Sequence, residues 1–515
     1  MGARRLPRIR RNLHHSAAHR PERSAALELD RSASARSCVA MFFPAGTITH
    51  AETGARLDLR VASADIRARA MHLASLGTGP GAVVVIRHGG TPRFFADLLS
   101  VWTAGAAAAC INPATTPSEL DTIVDFVNPV AVLTDGDGDG SVLGRPVLNL
   151  AKAALREHPL AGASLDDPAL VLFTSGSTGA PKGVVLGYRA LLARAALNRA
   201  HIGDAALART LCVLPTHFGH GLIGNCLTPL LAGRDLVLAS GGDLKSVARL
   251  GEVVDRYDIG FLSSVPAFWK IALKAAKRPQ KAALRRVHIG SAPLSGELWR
   301  AVAEWSGTDA VLNMYGMTEA ANWIAGAPAA EMGFEDGLVG RMWGGAAAVR
   351  RGDGSLARSG DGDLVVQTPS LMTGYFKRDD LTRDALSGGW LATGDVGSID
   401  ETGIVRLTGR RKHEINRAGL KVHPEDVDAL LERHPDVVEA CSFGIPDAIA
   451  GESVGVAVVV KNPAADAKAL RAWAVQHMVP EKIPTSWHIV PQIPRNDRGK
   501  VNRDDVARLV RGDKP

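Results

Sequence analysis

Leu170-Val-Leu-Phe-Thr174-Ser-Gly-Ser-Thr-Gly179-Ala-Pro-Lys182-Gly-Val184 is the most constrained stretch of the chain. It opens on an uninterrupted apolar run, the pattern of a strand buried on both faces. The loop that follows strings together Thr174, Ser175, Gly176, Ser177, Thr178 and Gly179, and the segment leads to Lys182. Small residues let backbone N–H groups turn inward, hydroxyls add donors, and lysine supplies a compact positive charge. Together these suit a polyphosphate. The spacing is not that of a Walker A loop. Pro181 stands before the lysine, and Gly183 stands where that loop needs a hydroxyl.

Outward from this stretch, helical and strand patterns alternate. Asp65–Leu76 reads as a helix and Gly81–Ile86 as a buried strand, and Thr91-Pro92 caps and opens the next helix. Strands are also expected in the Ala106–Ile111 region and over Val130–Thr134. The rhythm continues to about residue 340 and predicts parallel sheets covered by helices, an α/β class. From about 345, short strands alternate with Gly/Asp turns, which predicts a small antiparallel sheet or barrel over roughly 341–409. Past Gly409 the pattern changes again. Pro424-Glu-Asp426 opens a helix closed before Pro435, and strands over 437–443 and 454–460 precede a helix across 465–478. Residues 410–515 are therefore expected to form a small α+β domain after a large domain over 41–409.

The length of 515 residues predicts more than one domain, and 46% hydrophobic with 22% charged residues is a globular composition. Nine arginines and three acids in residues 1–36 carry +6 of the net +7, so the body is nearly neutral and no broad basic face for nucleic acid is expected. The Arg-rich segment 1–40 reads as a disordered leader or translated upstream sequence with the natural start at Met41, in preference to an organellar transit peptide. No apolar block of secretory or membrane-spanning length follows it. Five scattered cysteines without metal-ligand spacing point to a reducing, cytoplasmic setting. Asp135-Gly-Asp-Gly-Asp-Gly140 begins like a calcium loop, but Pro146 occupies the twelfth position, so it reads as a polar turn.

Further motifs follow the phosphate loop: Gly290-Ser-Ala-Pro293, Asn313-Met-Tyr-Gly-Met-Thr-Glu319, Gly389-Trp-Leu-Ala-Thr-Gly-Asp395, Gly409-Arg-Arg-Lys412 and Asn496-Asp-Arg-Gly-Lys500. In this order, over about residues 60–510, the chain resembles the adenylate-forming superfamily: acyl-CoA synthetases, 4-coumarate-CoA-ligase-like enzymes, luciferases and stand-alone adenylation domains. The resemblance implies a large domain of two parallel-type α/β subdomains plus a small β-barrel, followed by a small mobile C-terminal domain. It places adenine between Gly290, Ser291, Ala292, Pro293 and the segment Asn313, Met314, Tyr315, Gly316. Tyr315 offers a ring face for the purine and Asn313 an amide for its exocyclic amine. Thr318 and Glu319 would meet the α-phosphate and Mg2+. Asp395 would accept from the ribose hydroxyls, and Arg410 would add a ribose or phosphate contact. Lys500 would swing in to stabilise charge in the transition state, with Lys412 at the hinge.

Pro215-Thr-His217-Phe218-Gly-His220-Gly resembles the family's segment beside the acyl carboxylate. His217 is the first choice for the carboxylate contact and His220 the second; Phe218, Met314, Met317 and Trp323 complete the expected acyl pocket. Two departures stand out. His413 replaces the Asp usual after the hinge, and Met314 replaces a frequent Gly, which together with Trp323 predicts a short or medium acyl group. The absence of the Asp that pairs with an α-ammonium disfavours an ordinary amino acid.

The implied activity is ATP-dependent acid–thiol ligation. A small carboxylic acid becomes an acyl-AMP, then an acyl thioester of coenzyme A, with ATP and Mg2+ required. The loop around Arg417–Gly419 would line the thiol tunnel. The alternative acceptor is a carrier-protein phosphopantetheine acting in trans, since only 15 residues follow Lys500. A non-acylating ATP-binding protein or phosphotransferase would lack carboxylate-dependent pyrophosphate exchange. A nucleic-acid module would depend on residues 1–40.

Overall fold

The computed structural model describes residues 45–138, 140–174, 182–239, 243–281, 283–417, 420–447, 451–462, 466–478, 480–495 and 500–512. The leader 1–40, Ser175, Gly176, Ser177, Thr178 and Gly179 of the phosphate loop, Gly419, and Asn496–Gly499 lie outside the described residues, as do the side chains of Thr174 and Lys412.

Three sheets organise the chain. The first has eight strands. Its parallel centre comprises Val83–Ile86, Ala107–Cys110, Val132–Leu133, Arg145–Leu148 and Pro168–Thr174. The expected helix near 65–76 spans Ser63–Ser75. The next begins at Pro92, its first turn capped by the Thr91 hydroxyl accepting from the Phe94 N–H. Thr116 and Glu119 close a reciprocal capping box on Pro117–Val127. Pro168–Thr174 runs antiparallel to Lys182–Gly187, with Thr174 opposite Lys182. The phosphate loop therefore joins two paired strands, and Lys182 is fixed at the start of the second.

The second sheet has fifteen strands. Thr47–His50, Asp235–Leu238, Arg209–Cys212, Phe261–Ser264, Arg286–Gly290 and Val311–Met317 pair in parallel. From Asn322–Pro328 onward the pairing turns antiparallel, through Leu338–Met342, Val405–Arg410, Trp390–Ile399, Gly360–Gln367 and Ala346–Arg350. The β-rich segment expected over 341–409 is thus an antiparallel extension continuous with the parallel part. Leu338–Met342 is the joining strand, paired with Asn322–Pro328 on one side and Val405–Arg410 on the other. Buried Trp269 and Trp299 anchor the core on one face of the parallel part.

The third sheet combines Ile415–Arg417, Leu420–Val422, Val437–Asp447, Gly451–Val460 and Ser486–Ile489. The helix Pro424–Leu431 buries Val427 and Leu431 against it, and Ala467–His477 buries Leu470 and Ala474. This is the α+β arrangement read from the third regime of the sequence. Among the described residues, no helix is long and apolar enough to cross a membrane. Among the described residues, no group of three or more His, Cys, Asp and Glu side chains could hold a metal, and Cys110, Cys212, Cys226 and Cys441 are free and buried.

The joining strand depends on one glycine. Gly340 has φ +78°, and a Cβ there would lie 2.2 Å from the Gly326 carbonyl oxygen. Gly340→Ala should destabilise the large domain by more than about 1 kcal/mol, because the added atom meets backbone and the torsion disfavours any side chain. Urea unfolding followed by tryptophan fluorescence would show the loss as a lowered midpoint.

Candidate active site

Tyr315 lies near the end of Val311–Met317, and Asp395 and Arg410 are register partners on two strands of the antiparallel extension. The buried Asp395 carboxylate accepts from the Tyr315 hydroxyl at 2.6 Å and pairs with Arg410 Nε at 2.7 Å. Burial, then the neighbouring carboxylate, pushes the Tyr315 phenol well above its ordinary range, so it stays a donor. Asn313 donates its amide N–H to the Leu338 carbonyl at 2.7 Å, which leaves its Oδ1 to offer a ligand.

Thr318 and Glu319 open a short 3₁₀ turn directly after the Tyr315 strand. Glu319 Oε1 accepts from the Tyr375 hydroxyl at 2.9 Å, and Lys182 Nζ stands 3.9 Å from the centroid of the same ring. Tyr375 therefore gathers a carboxylate and the phosphate-loop lysine at one ring. Burial and Glu319 both raise its phenol, which fixes it as a neutral donor. Tyr375 escapes the sequence reading because its partners are distant in the chain. The only local signal is the Gly374-Tyr375 strand, which pairs with Lys182–Gly187.

The segment after Pro215 enters a wide π-type helix, His220–Leu227, buried throughout. His220 Nδ1 meets Ser291 Oγ at 2.9 Å and Nε2 meets Ser263 Oγ at 2.7 Å. Ser291 itself has φ +68°, a costly conformation for a residue with a Cβ, at the turn that carries Gly290, Ala292 and Pro293. Burial, then the charge of Lys500, lowers the His220 imidazole to about 3. The small domain thus brings Lys500 close enough to act electrostatically on a histidine of the large domain. His217 is buried, with its ring edge-on to Phe218 at 5.5 Å. His220 thus sits against the Ser291 turn and under the influence of Lys500.

Behind His220, Met314 and Trp323 join Phe261 and Trp343 in one buried cluster. Trp323 packs edge-on to His220 at 5.4 Å. Gly224 permits this approach: a Cβ there would lie 2.8 Å from the Trp323 ring. Met317 packs half-buried against the main core. Ser263, Phe261, Arg286 and His288 were missed by motif reading. Their signal was strand alternation, which puts Phe261 with Ser263, and Arg286 with His288 and Gly290, on shared faces.

At the domain junction Lys412 lies in the short turn Arg411–His413. His413 Nδ1 meets Glu425 Oε1 at 2.9 Å, and Glu425 also pairs with Arg503 at 3.3 Å. The departure at His413 is thus a tether to the first turn of a small-domain helix. Burial opposes the Glu425 charge, but His413 and Arg503 hold the carboxyl down at about 2.

Comparison with known proteins decides the family. Residues 39–376 match the model of the AMP-binding enzymes, and residues 426–500 match the AMP-binding enzyme C-terminal domain. The chain belongs to the AMP-binding enzyme family. It is an AMP-forming ligase of the acyl-CoA synthetase type. This ligase is 31% identical over 459 residues to the sulfoacetate–CoA ligase of Cupriavidus necator, covering 84% of this chain and 88% of that protein. It is 29% identical over 477 residues to the oxalate–CoA ligase of Arabidopsis thaliana, covering 86% and 91%. The crystal structure of ATP-bound MatB from Rhodopseudomonas palustris superposes with a TM-score of 0.82 at 26% identity, covering 93% of this chain and 99% of that one.

His220 makes the ligase acid-sensitive. Its folded pKa of about 3 lies below the ordinary 6.5, so between these values the unfolded chain takes up a proton that the folded one refuses. The contribution is full above about pH 6.5 and fades as pH falls, by up to about 1.4 kcal/mol per unit. Thermal melts at about pH 7.5 and about pH 5 should show a smaller acid-induced drop in Tm for His220→Gln than for the native protein.

Proposed function

We propose that this ligase joins a short carboxylic acid to the thiol of coenzyme A through an acyl adenylate. The observation that carries the reading is the pair of aromatic anchors, Tyr315 orienting Asp395 with Arg410 and Tyr375 gathering Glu319 with Lys182 of the phosphate loop. The charge of Lys500, from the small domain, reaches His220 beside the Ser291 turn.

In this reading the purine stacks on Tyr315 and takes Asn313 Oδ1 for its amine. Asp395, already oriented by Tyr315 and Arg410, keeps lone pairs for the ribose hydroxyls, since a carboxylate offers about four acceptor sites. Lys182 and the loop before it hold the β- and γ-phosphates. Thr318 meets the α-phosphate. Glu319 would hold Mg2+ together with the phosphates. One carboxylate suits an ion that binds largely through substrate oxygens and water, and the described residues form no separate protein cage. The ion supplies charge neutralisation on the triphosphate.

The acid's carboxylate oxygen attacks the α-phosphorus. A new P–O bond forms, the α–β bridging bond breaks, and pyrophosphate leaves. Lys500 stabilises the negative charge spread over the attacking and equatorial oxygens, and neutral His220, with both ring nitrogens engaged by Ser263 and Ser291, holds the Ser291 turn in place beside the carboxylate. In the second step the thiolate of coenzyme A attacks the carbonyl carbon; the C–S bond forms and AMP leaves. Rotation about Lys412 removes Lys500 and exchanges His413–Glu425 contacts, so that the loop near Arg417 faces the acyl group. A short acid fits because Met314 and Trp323 fill the space behind the carboxylate, and two relatives are named for the small acids sulfoacetate and oxalate.

Lys500→Ala should lower acid-dependent exchange of labelled pyrophosphate into ATP by about a hundredfold or more. Thioester formation from supplied acyl adenylate should stay within a few-fold of native. Equal loss in both half-reactions would refute the division of labour between the two steps.

A further inference from the structure

Among the described residues, two hydrogen-bond donors behind His220 are buried with no acceptor. His288 is wholly buried, and its Nε2 lies 2.9 Å from Arg286 Nε. A guanidinium only donates, so Nε2 must accept, and the ring proton must sit on Nδ1. That Nδ1–H has no partner. Trp323, 2% exposed, likewise has an unpartnered Nε1–H. The two rings lie edge-on with centroids 4.8 Å apart, among Phe261, Met314 and Trp343. Other buried polar atoms among the described residues also lack a partner, Trp269 Nε1 and His88 Nδ1 among them; what sets this pair apart is that two donors lie side by side next to Arg286 and behind His220.

The donors identify the acceptor. Arg286 stands behind His288 and over the Trp343 ring, at 5.6 Å from its centroid. Burial lowers the Arg286 guanidinium only to about 10, so it remains charged. A cation that donates to one imidazole nitrogen polarises the N–H at the other, which strengthens that donor toward an anion. Arg286 is half-buried and already feels the Glu331 carboxylate, so the donors themselves decide: neutral alkyl tails would leave both unpaired, whereas an oxyanion would satisfy them. The length is limited as well. His220 and His288 flank the same Trp323 ring, at 5.4 and 4.8 Å. An acid whose carboxylate lies at the Ser291 turn and whose far end meets these donors therefore spans the neighbourhood of one indole ring.

We propose that the acid activated by this enzyme carries a second oxyanion, a carboxylate or sulfonate, that accepts from His288 Nδ1–H and Trp323 Nε1–H while Arg286 holds His288 in the required tautomer. This rests on the acyl-adenylate reading above and names its substrate class.

The test is acid-dependent pyrophosphate exchange with the full chain, comparing propionate and butyrate with malonate, succinate and 3-sulfopropionate. The expected result is a kcat/KM at least about a hundredfold higher for an acid with the second oxyanion, carried mainly by KM. Malonate or succinate against 3-sulfopropionate separates carboxylate from sulfonate recognition. His288→Leu should reduce the preference to within a few-fold, while His288→Asn, whose amide can donate from the Nδ1 position, should keep part of it. Trp323→Phe retains an aromatic ring and loses the N–H, and should cost the second-oxyanion acids about tenfold more than it costs propionate. ATP binding measured by calorimetry should be unchanged in each variant, which separates a specificity effect from misfolding. Equal use of propionate and malonate by the native enzyme would overturn this inference and leave the ligase reading intact. Exchange with none of the acids, alongside normal ATP binding, would count against the ligase reading itself.

Discussion

A buried carboxylate cannot stand alone, and Asp395 shows what that constraint builds. Its two oxygens are held by the Tyr315 hydroxyl and the Arg410 guanidinium, at 2.6 and 2.7 Å. Tyr315 comes from the parallel part of the large sheet, while Asp395 and Arg410 come from its antiparallel extension. Removing Arg410 would leave an uncompensated buried charge, which costs several kcal/mol, and removing the Tyr315 hydroxyl would leave one carboxylate oxygen without that donor. The pair of contacts therefore fixes the extension against the parallel strands. It also sets the orientation of the Tyr315 ring and Asp395 together.

The same logic recurs at two neighbouring points with different outcomes. Tyr375 ties Glu319 to the strand that starts at Lys182, so the carboxylate and the lysine share one aromatic platform. His413, Glu425 and Arg503 form a charged tether between the hinge turn and the small domain. A tether of this kind is strong enough to hold one orientation and, being half-exposed at His413, cheap enough to exchange for water. His288 differs from both: its donor is buried and left unmatched. Matched groups such as these hold the protein together, whereas the unmatched donors of His288 and Trp323 lie side by side behind His220.

Much of the fold was legible along the chain. The helix after Thr91-Pro92, the strand entering the phosphate loop and the helix at Pro424 follow from capping chemistry and apolar periodicity, which act over a few residues. The antiparallel segment after residue 345 was visible in its Gly/Asp turns. Its continuity with the parallel sheet was not, because the pairing of Leu338–Met342 with Val405–Arg410 joins segments separated by more than sixty residues. For the same reason Tyr375 and Ser263 carried no motif, although each touches a residue that did.

By itself the amino-acid sequence determined the α/β class, the three regimes of the chain, and the ordered motifs from the phosphate loop to Lys500, since each of these is written in adjacent residues. Only the tertiary structure decided that His220 lies between Ser263 and Ser291, and that His288 and Trp323 stand side by side with unmatched donors. Whether a polar group is matched is a property of its neighbours in space. Those neighbours are set by how sheets and helices pack, so no local pattern records it.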